Sequence, residues 1–295
     1  MQAELIVDAR NAVGESPVWV PEENALYWVD IPVGALQRWN ADSGRVERWT
    51  TPEMLACIAR HRDGHWVAGM ESGFFSLHPH ADGSIDSQLL AHIDHARTDM
   101  RLNDGRCDRQ GRFWAGSMVL DMSANAVEGE LYRYSAGQRG PLTAQLEGFI
   151  VPNGLGFSPD GRTLYLSDSH PQVQQIWAFD YDTDSGTPSN RRLFVDMKAL
   201  PGRPDGAAVD AEGCYWICAN DAGLIHRFTP DGRLDRSLTV PVKKPSMCAF
   251  GGSRLDTLFV TSIRPGDDQD PQSLAGGVFA LDPGVKGLAE PLFTP

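Results

Sequence analysis

Apolar positions along this chain come in short runs, and no window of twelve residues carries a sustained helical stripe. The runs are rich in aromatic and β-branched residues and are bounded by Gly, Asp, Asn and Pro, the pattern of strands joined by tight turns. Six of them centre on an aromatic residue: LYWVD on Trp28, HWVAG on Trp66, RFWAG on Trp114, TLYLS on Tyr165, CYWIC on Trp216 and TLFVT on Phe259. Successive centres lie 38, 48, 51, 51 and 43 residues apart. A second aromatic strand follows each one, as in LQRW, GELYRY and QIWAFDY, and a third often follows another turn, as in DSGRVERWT and PDGRLDRSLTV.

Several strands per unit and six units of about 46 residues predict an all-β, six-bladed β-propeller. One blade cannot bury both of its faces, so the blades must stack and the ring must close. The N-terminal AELIVD has no blade of its own and is expected to pair beside the C-terminal AEPLFT, hiding a sheet edge. Residues 1–295 then form a single propeller domain.

Composition narrows the class of partner. With 26 basic and 39 acidic side chains, the formal charge of −13 argues against nucleic acid or an anionic membrane. No apolar run approaches the roughly 18 residues of a spanning helix, and the opening MQAELIVDAR has no basic and apolar leader pattern. The five cysteines are odd in number and form no CxxC pair, which points to buried free thiols and, by default, to the cytoplasm.

In a propeller the innermost strands line a central channel, so equivalent positions form a ring about its axis. Eleven to thirteen residues before the aromatic centres stand Glu15, Asn103, Asn153 and Asp205, with Arg101 two residues before Asn103; units two and six offer Leu55 and Met247. Glu15, Asn153 and Asp205 supply two carboxylates and an amide oxygen, a set whose charge one divalent cation would balance. Hard oxygen ligands suit Ca²⁺, Mg²⁺ or Mn²⁺ and admit Zn²⁺ or Fe²⁺, and three protein ligands leave positions for water and substrate. Polar groups capping turns at the blade mouths account equally well for this phase, and the repeat alone leaves both readings open.

The segments GESPVW at 14–19, RLNDGRCDRQGRFWAGSM at 101–118, VPNGLGFSPDGRTLY at 151–165 and RPDGAAVDAEGCYW at 203–216, with the later FGG and AGGVF, resemble the SMP-30/gluconolactonase family, which includes regucalcin. The match spans nearly the whole chain in order. It implies a six-bladed propeller that hydrolyses sugar lactones with one divalent metal cation. Carried over by motif, Glu15, Asn153 and Asp205 match the metal ligands, with Asp205 also the proposed general base, either directly or by orienting a metal-bound hydroxide, two versions the sequence leaves open. Arg101, Asn103 and Asp121 match the substrate-contacting positions. Asp121 departs from the pattern, since relatives can carry Glu after the GTM segment where this chain reads GSMVLD.

The implied activity is a carboxylic ester hydrolase acting on a small-molecule sugar lactone. Rival readings are a propeller esterase, phosphotriesterase-like or strictosidine-synthase-like, and a non-catalytic interaction propeller, because fold does not choose among them. The run DYDTDSGTPSNR at 180–191 looks like a calcium loop, but its Gly186 falls one place late and its twelfth residue is Arg191, so a hairpin is expected there. Two long loops, 119–129 and 264–277, are candidates for the rim of the channel mouth. The strand Trp and Phe residues are expected to pack blades together.

Overall fold

The computed structural model describes residues 3–138 and 140–294. Six four-stranded antiparallel sheets surround a common axis as the blades of a β-propeller. In blades one to five the strands follow in sequence from the axis outward; in blade one they are Gly14–Val20, Ala25–Asp30, Ala35–Asn40 and Val46–Thr50. The inner strands of the others are Leu55–Arg60, Met100–Cys107, Pro152–Phe157, Arg203–Val209 and Pro245–Gly251. Inner strands are almost wholly buried, whereas an outer strand such as Leu234–Thr239 faces solvent along much of its length.

Aromatic pairs occupy all six blade interfaces, which is why the aromatic centres carry the repeat. Tyr27 meets Trp66 at 4.5 Å between ring centroids, Phe74 meets Phe113 at 5.5 Å, and Trp114 meets Phe157 at 6.4 Å. The ring continues with Tyr165 and Tyr215 at 5.0 Å, Trp216 and Phe250 at 6.0 Å, and Phe259 stacked on Trp19 at 5.2 Å. Offset and edge-on contacts of this kind add to the burial of the rings themselves. The glycines of RDG, RQG, PDG and AEG all have φ between +72° and +91°, a conformation that side chains with a Cβ rarely adopt, so these turns require Gly.

The ring closes through the N-terminal strand, but not with the partner the sequence suggests. Glu4–Val7 is the outermost strand of blade six and pairs antiparallel with Val278–Leu281, the GGVFALD strand. The AEPLFT segment instead crosses the far end of the channel as a strap. Its Phe293 forms a bridge with His61 and its Thr294 amide donates to Gly111 O at 3.1 Å, while Gly287 bridges to Asp210 on the other side. Phe293 is buried and stacks on Tyr134 at 5.6 Å, so this segment gains more from a socket between blades two and three than from an outer sheet edge.

The DYDTDSGTPSNR run forms the expected hairpin between Gln175–Asp182 and Thr187–Asp196, with Asp182 accepting the Ser185 amide at 2.7 Å. All five cysteines are free and buried. No described helix is long and apolar enough to cross a membrane.

Candidate active site

The candidate residues lie toward the N-terminal ends of four inner strands, at one mouth of the channel. All six inner strands slip register against their neighbours there: after Glu15, Leu55, Leu102, Asn153, Pro204 and Pro245. A bulge of this kind bends the strand and re-aims its side chains, which frees polar groups from the ladder and turns them to the axis. The slips also correct one alignment. Asn153, Asp205 and Ser246 each follow a proline of the inner strand, so Ser246, not Met247, is the sixth-blade counterpart. Its hydroxyl donates to Gly14 O beside Glu15.

The structure brings Asn153 and Asp205 into direct contact: Asn153 Nδ2 donates to Asp205 Oδ1 at 2.6 Å. The other oxygen of Asp205 accepts from Asn220 Nδ2 at 2.6 Å. Arg101 and Asn103, two apart on one strand, also meet, with Arg101 Nη1 donating to Asn103 Oδ1 at 2.9 Å. Asn103 Nδ2 in turn donates to Pro152 O at 3.2 Å, tying blade three to blade four one residue before Asn153.

Burial dominates the electrostatics. It pushes Asp205 up to about 7, helped by the Asp104 charge and opposed by Arg203, Asn220 and Asn153. Glu15 is held well above the usual carboxylate range by burial, then by the charges of Asp205 and Asp104, with only the Ser16 amide and Arg101 pulling it down. Arg101 is lowered to about 10 by burial, against the pull of Glu15, Cys57 and Asp205. Buried carboxylates held up in this way, beside the Asn153 amide, whose oxygen accepts the Gly154 amide at 3.0 Å, offer the oxygen donors that a hard divalent cation takes.

Four residues that shape the site escaped the sequence reading. Asn220 ends the second strand of blade five and fixes Asp205. Asp30 and Asp168, which end the second strands of blades one and four, accept the backbone amides of the segments leading into Glu15 and Asn153: Ala12 and Val13 for Asp30, Ile150 and Val151 for Asp168. The signal was present in LYWVD, LYLSD and YWICAN, each ending in an acid or amide just past its aromatic centre. Asp104 is the fourth. It is buried, accepts the Leu155 amide on Oδ2 at 2.7 Å, and leaves Oδ1 without a partner.

Asp121 stands apart from this cluster. It is exposed and caps the short 3-10 turn Met122–Ala124, accepting from the Ser123 amide at 2.9 Å and hydroxyl at 2.6 Å, which hold its carboxyl below the usual range. That loop reaches blade four through His170, whose Nε2 lies 3.2 Å from Met122 O. The loop 264–277 packs on the segment before Glu15, with the Asn11 side chain donating to Gly276 O at 2.9 Å. A second acidic group, Asp210, Glu212 and Cys214, lies elsewhere. Its buried Asp210 is already occupied by the amides of Glu212 and Cys214, by Trp216 Nε1 and by Arg227, which makes it a structural clasp.

A six-bladed ring carrying an acid-and-amide cluster at one channel mouth defines the class. Residues 13–264 match the model of the SMP-30/gluconolactonase/LRE-like family, and the chain belongs to that family. It is 38% identical to the 6-deoxy-6-sulfogluconolactonase of Pseudomonas putida over 291 residues, 98% of this chain and 97% of that protein. Pig (Sus scrofa) regucalcin is 34% identical over 285 residues, 93% of this chain and 92% of regucalcin. The solved regucalcin of Agrobacterium tumefaciens, described as a calcium-binding protein, has a TM-score of 0.89 at 28% identity, covering 100% of this chain and 98% of that one.

Proposed function

We propose that this protein is a sugar lactonase that hydrolyses the ring ester of an aldonolactone to the aldonic acid and depends on one divalent cation. The observation that carries this reading is the buried pair of raised carboxylates, Glu15 and Asp205, with Asn153 bonded to Asp205. These three residues would hold the cation. Ca²⁺, Mg²⁺ and Mn²⁺ match the oxygen donors best. When bound, the cation supplies Lewis acidity toward the lactone carbonyl and its developing negative charge.

Asp205 is the general base. Held by Asn153 and Asn220, it takes a proton from water as the water oxygen bonds to the carbonyl carbon. When the ring carbon–oxygen bond breaks, the same proton passes to the departing ring oxygen, so one water is consumed and a hydroxy acid forms. The Arg101–Asn103 pair donates to ring oxygens and hydroxyls, and Asp121 accepts from a sugar hydroxyl at the rim of the mouth.

Acid release from gluconolactone, galactonolactone, pentonolactones and the 6-sulfonated gluconolactone, with and without chelator, tests the proposal. Turnover of sugar lactones that is lost on chelation and restored by divalent cations is expected. Full activity in protein shown metal-free by elemental analysis overturns the metal requirement. Preferential turnover of aryl esters or phosphotriesters overturns the lactonase reading.

A further inference from the structure

The rim of the channel mouth beside Asp205 carries a pair of cations that the proposed chemistry leaves unused. Arg203 opens the inner strand of blade five two residues before Asp205 and pairs across the sheet with Asn220. Lys244 immediately precedes the inner strand of blade six. Between them stands Asp221, which follows Asn220 at the end of the second strand of blade five. Its Oδ2 accepts from Arg203 Nε at 2.7 Å and its Oδ1 from Lys244 Nζ, so one carboxylate joins two cations across the blade boundary.

The pair borders the site through a short chain of contacts. Arg203 Nη1 donates to Ser169 O of blade four at 3.1 Å, and its Nη2 lies 3.5 Å from Asn220 Oδ1. The same Asn220 amide donates to Asp205 Oδ2 at 2.6 Å, so a single side-chain amide separates the guanidinium from Asp205. Burial lifts Asp205, and the Arg203 charge opposes that lift. The Arg203 and Lys244 side chains are 18% and 26% exposed, so both remain open to a ligand. Charge balance sets this sector apart. On the blade-three rim Arg97 meets Asp99 at 2.8 Å and Glu128 at 3.6 Å. In the loop 264–277 Arg264 lies 3.9 Å from Asp268, with Asp267 and Asp270 beside it in sequence. Cations are outnumbered in both places. Arg203 and Lys244, with Lys243 next in sequence, share Asp221 as their one ion-pair partner among the described residues.

We propose that Arg203 and Lys244 form an anion subsite at the rim, which selects aldonolactones bearing a sulfonate or phosphate on the carbon farthest from the ring ester. The proposal rests on the lactonase reading and names the substrate class of that same site. Two cations against one carboxylate leave a net positive charge that an anionic tail neutralises and a neutral hydroxymethyl group does not. Each terminal guanidinium nitrogen carries a second N–H beyond the contacts named, and the ammonium carries two more. Donors arriving from two side chains match the three oxygens of a tetrahedral oxyanion, with the guanidinium fork taking two of them. In a chain of formal charge −13, this local reversal also draws in an anion that the rest of the surface repels.

Hydrolysis of gluconolactone, 6-phosphogluconolactone and the 6-sulfonated gluconolactone by the Ca²⁺-saturated full chain tests this, with Lys244→Met and Arg203→Gln variants. A hydrogen bond to a charged group corresponds to roughly 10- to 200-fold in binding. At least one anionic lactone should therefore exceed gluconolactone about tenfold or more in kcat/KM, chiefly through KM, and each variant should reduce that advantage about tenfold. Lys244→Met keeps the apolar stem and decides the matter if Arg203→Gln fails to fold. An advantage for only one of the two anions supports the proposal and identifies the oxyanion taken. Equal or poorer turnover of both anionic lactones, or an advantage unaltered in the folded variants, overturns it. If no lactone is hydrolysed, the lactonase reading fails separately, and calorimetric titration with gluconate, 6-phosphogluconate and 6-sulfonated gluconate still decides the subsite. Binding of either 6-substituted acid at least tenfold tighter than gluconate, and weakened in Lys244→Met, supports it; equal or absent binding overturns it.

Discussion

If Glu15 and Asp205 lack a cation, they should make the protein less stable as pH rises, and the effect can be sized. Asp205 titrates near 7 in the folded chain against 3.8 in the unfolded one, because folding buries it. Between those values the unfolded state releases a proton that the folded state keeps. The associated stability is therefore complete below about pH 4 and lost as pH climbs through 7. A difference of about 3 units at ~1.36 kcal/mol each gives about 4 kcal/mol as the upper end for this one group. About 3 kcal/mol of this falls between pH 4.5 and 8, and for a chain of this length ~1 kcal/mol moves Tm by roughly 2 °C, so the chelated protein should lose about 6 °C over that range, with Glu15 adding in the same direction. Calorimetric melting of chelator-treated protein across this range is the assay. Asp205→Asn, which cannot ionise, should flatten much of the slope, and saturating Ca²⁺ at pH 8 should restore the lost Tm. A flat profile in the chelated wild type, or an equal slope in Asp205→Asn, would refute the idea that burial rather than pairing governs this carboxylate.

Asp205→Asn should also lower kcat on lactones by about 10²- to 10⁴-fold, the usual scale for loss of a general base; near-normal kcat in metal-saturated mutant would place the base elsewhere. Asn220→Ala removes a donor worth roughly 1.5–3 kcal/mol to the ionised form. It should shift the acid limb of the kcat/KM profile upward by about 1–2 pH units, and an unmoved limb would argue that Asn220 only packs. Asp121→Ala should cut kcat/KM on polyhydroxylated lactones by about 10- to 200-fold while sparing a lactone without hydroxyls; equal losses on both would make it a loop-capping residue alone. Phe293→Ala should cost about 3–5 kcal/mol of stability, read as a fall in denaturation midpoint, and a neutral result would show that the strap is not anchored through its ring.

Periodic contacts are what local sequence can report, and the fold was legible to that extent. Each aromatic centre is buried where its blade meets a neighbouring one, so Trp28, Trp66, Trp114, Tyr165, Trp216 and Phe259 mark six copies of a similar environment. Closure occurs once and has no period. AELIVD could have paired with any late strand, and what decides it is the alternative open to AEPLFT: a buried place for Phe293 against His61 and Tyr134, at residues far away in the chain.

The site divides along the same line. Glu15, Asn103, Asn153 and Asp205 share a phase because they share a bulge position on equivalent strands, and that phase is visible one unit at a time. Their chemistry is settled by neighbours that the phase does not specify. Asp104 raises Glu15 and Asp205 without touching either motif pattern, and Asn220 fixes Asp205 from the next strand of its own blade. The far end of the channel was hidden for a stronger reason. Its lining brings together Trp19, Arg60 and Arg106 from three inner strands with Glu290 from the C-terminal segment. The strap crosses those strand ends and walls off a cavity there. A repeat thus announces what its copies have in common, while the contacts of the single, unrepeated segment that crosses them carry no period to be read.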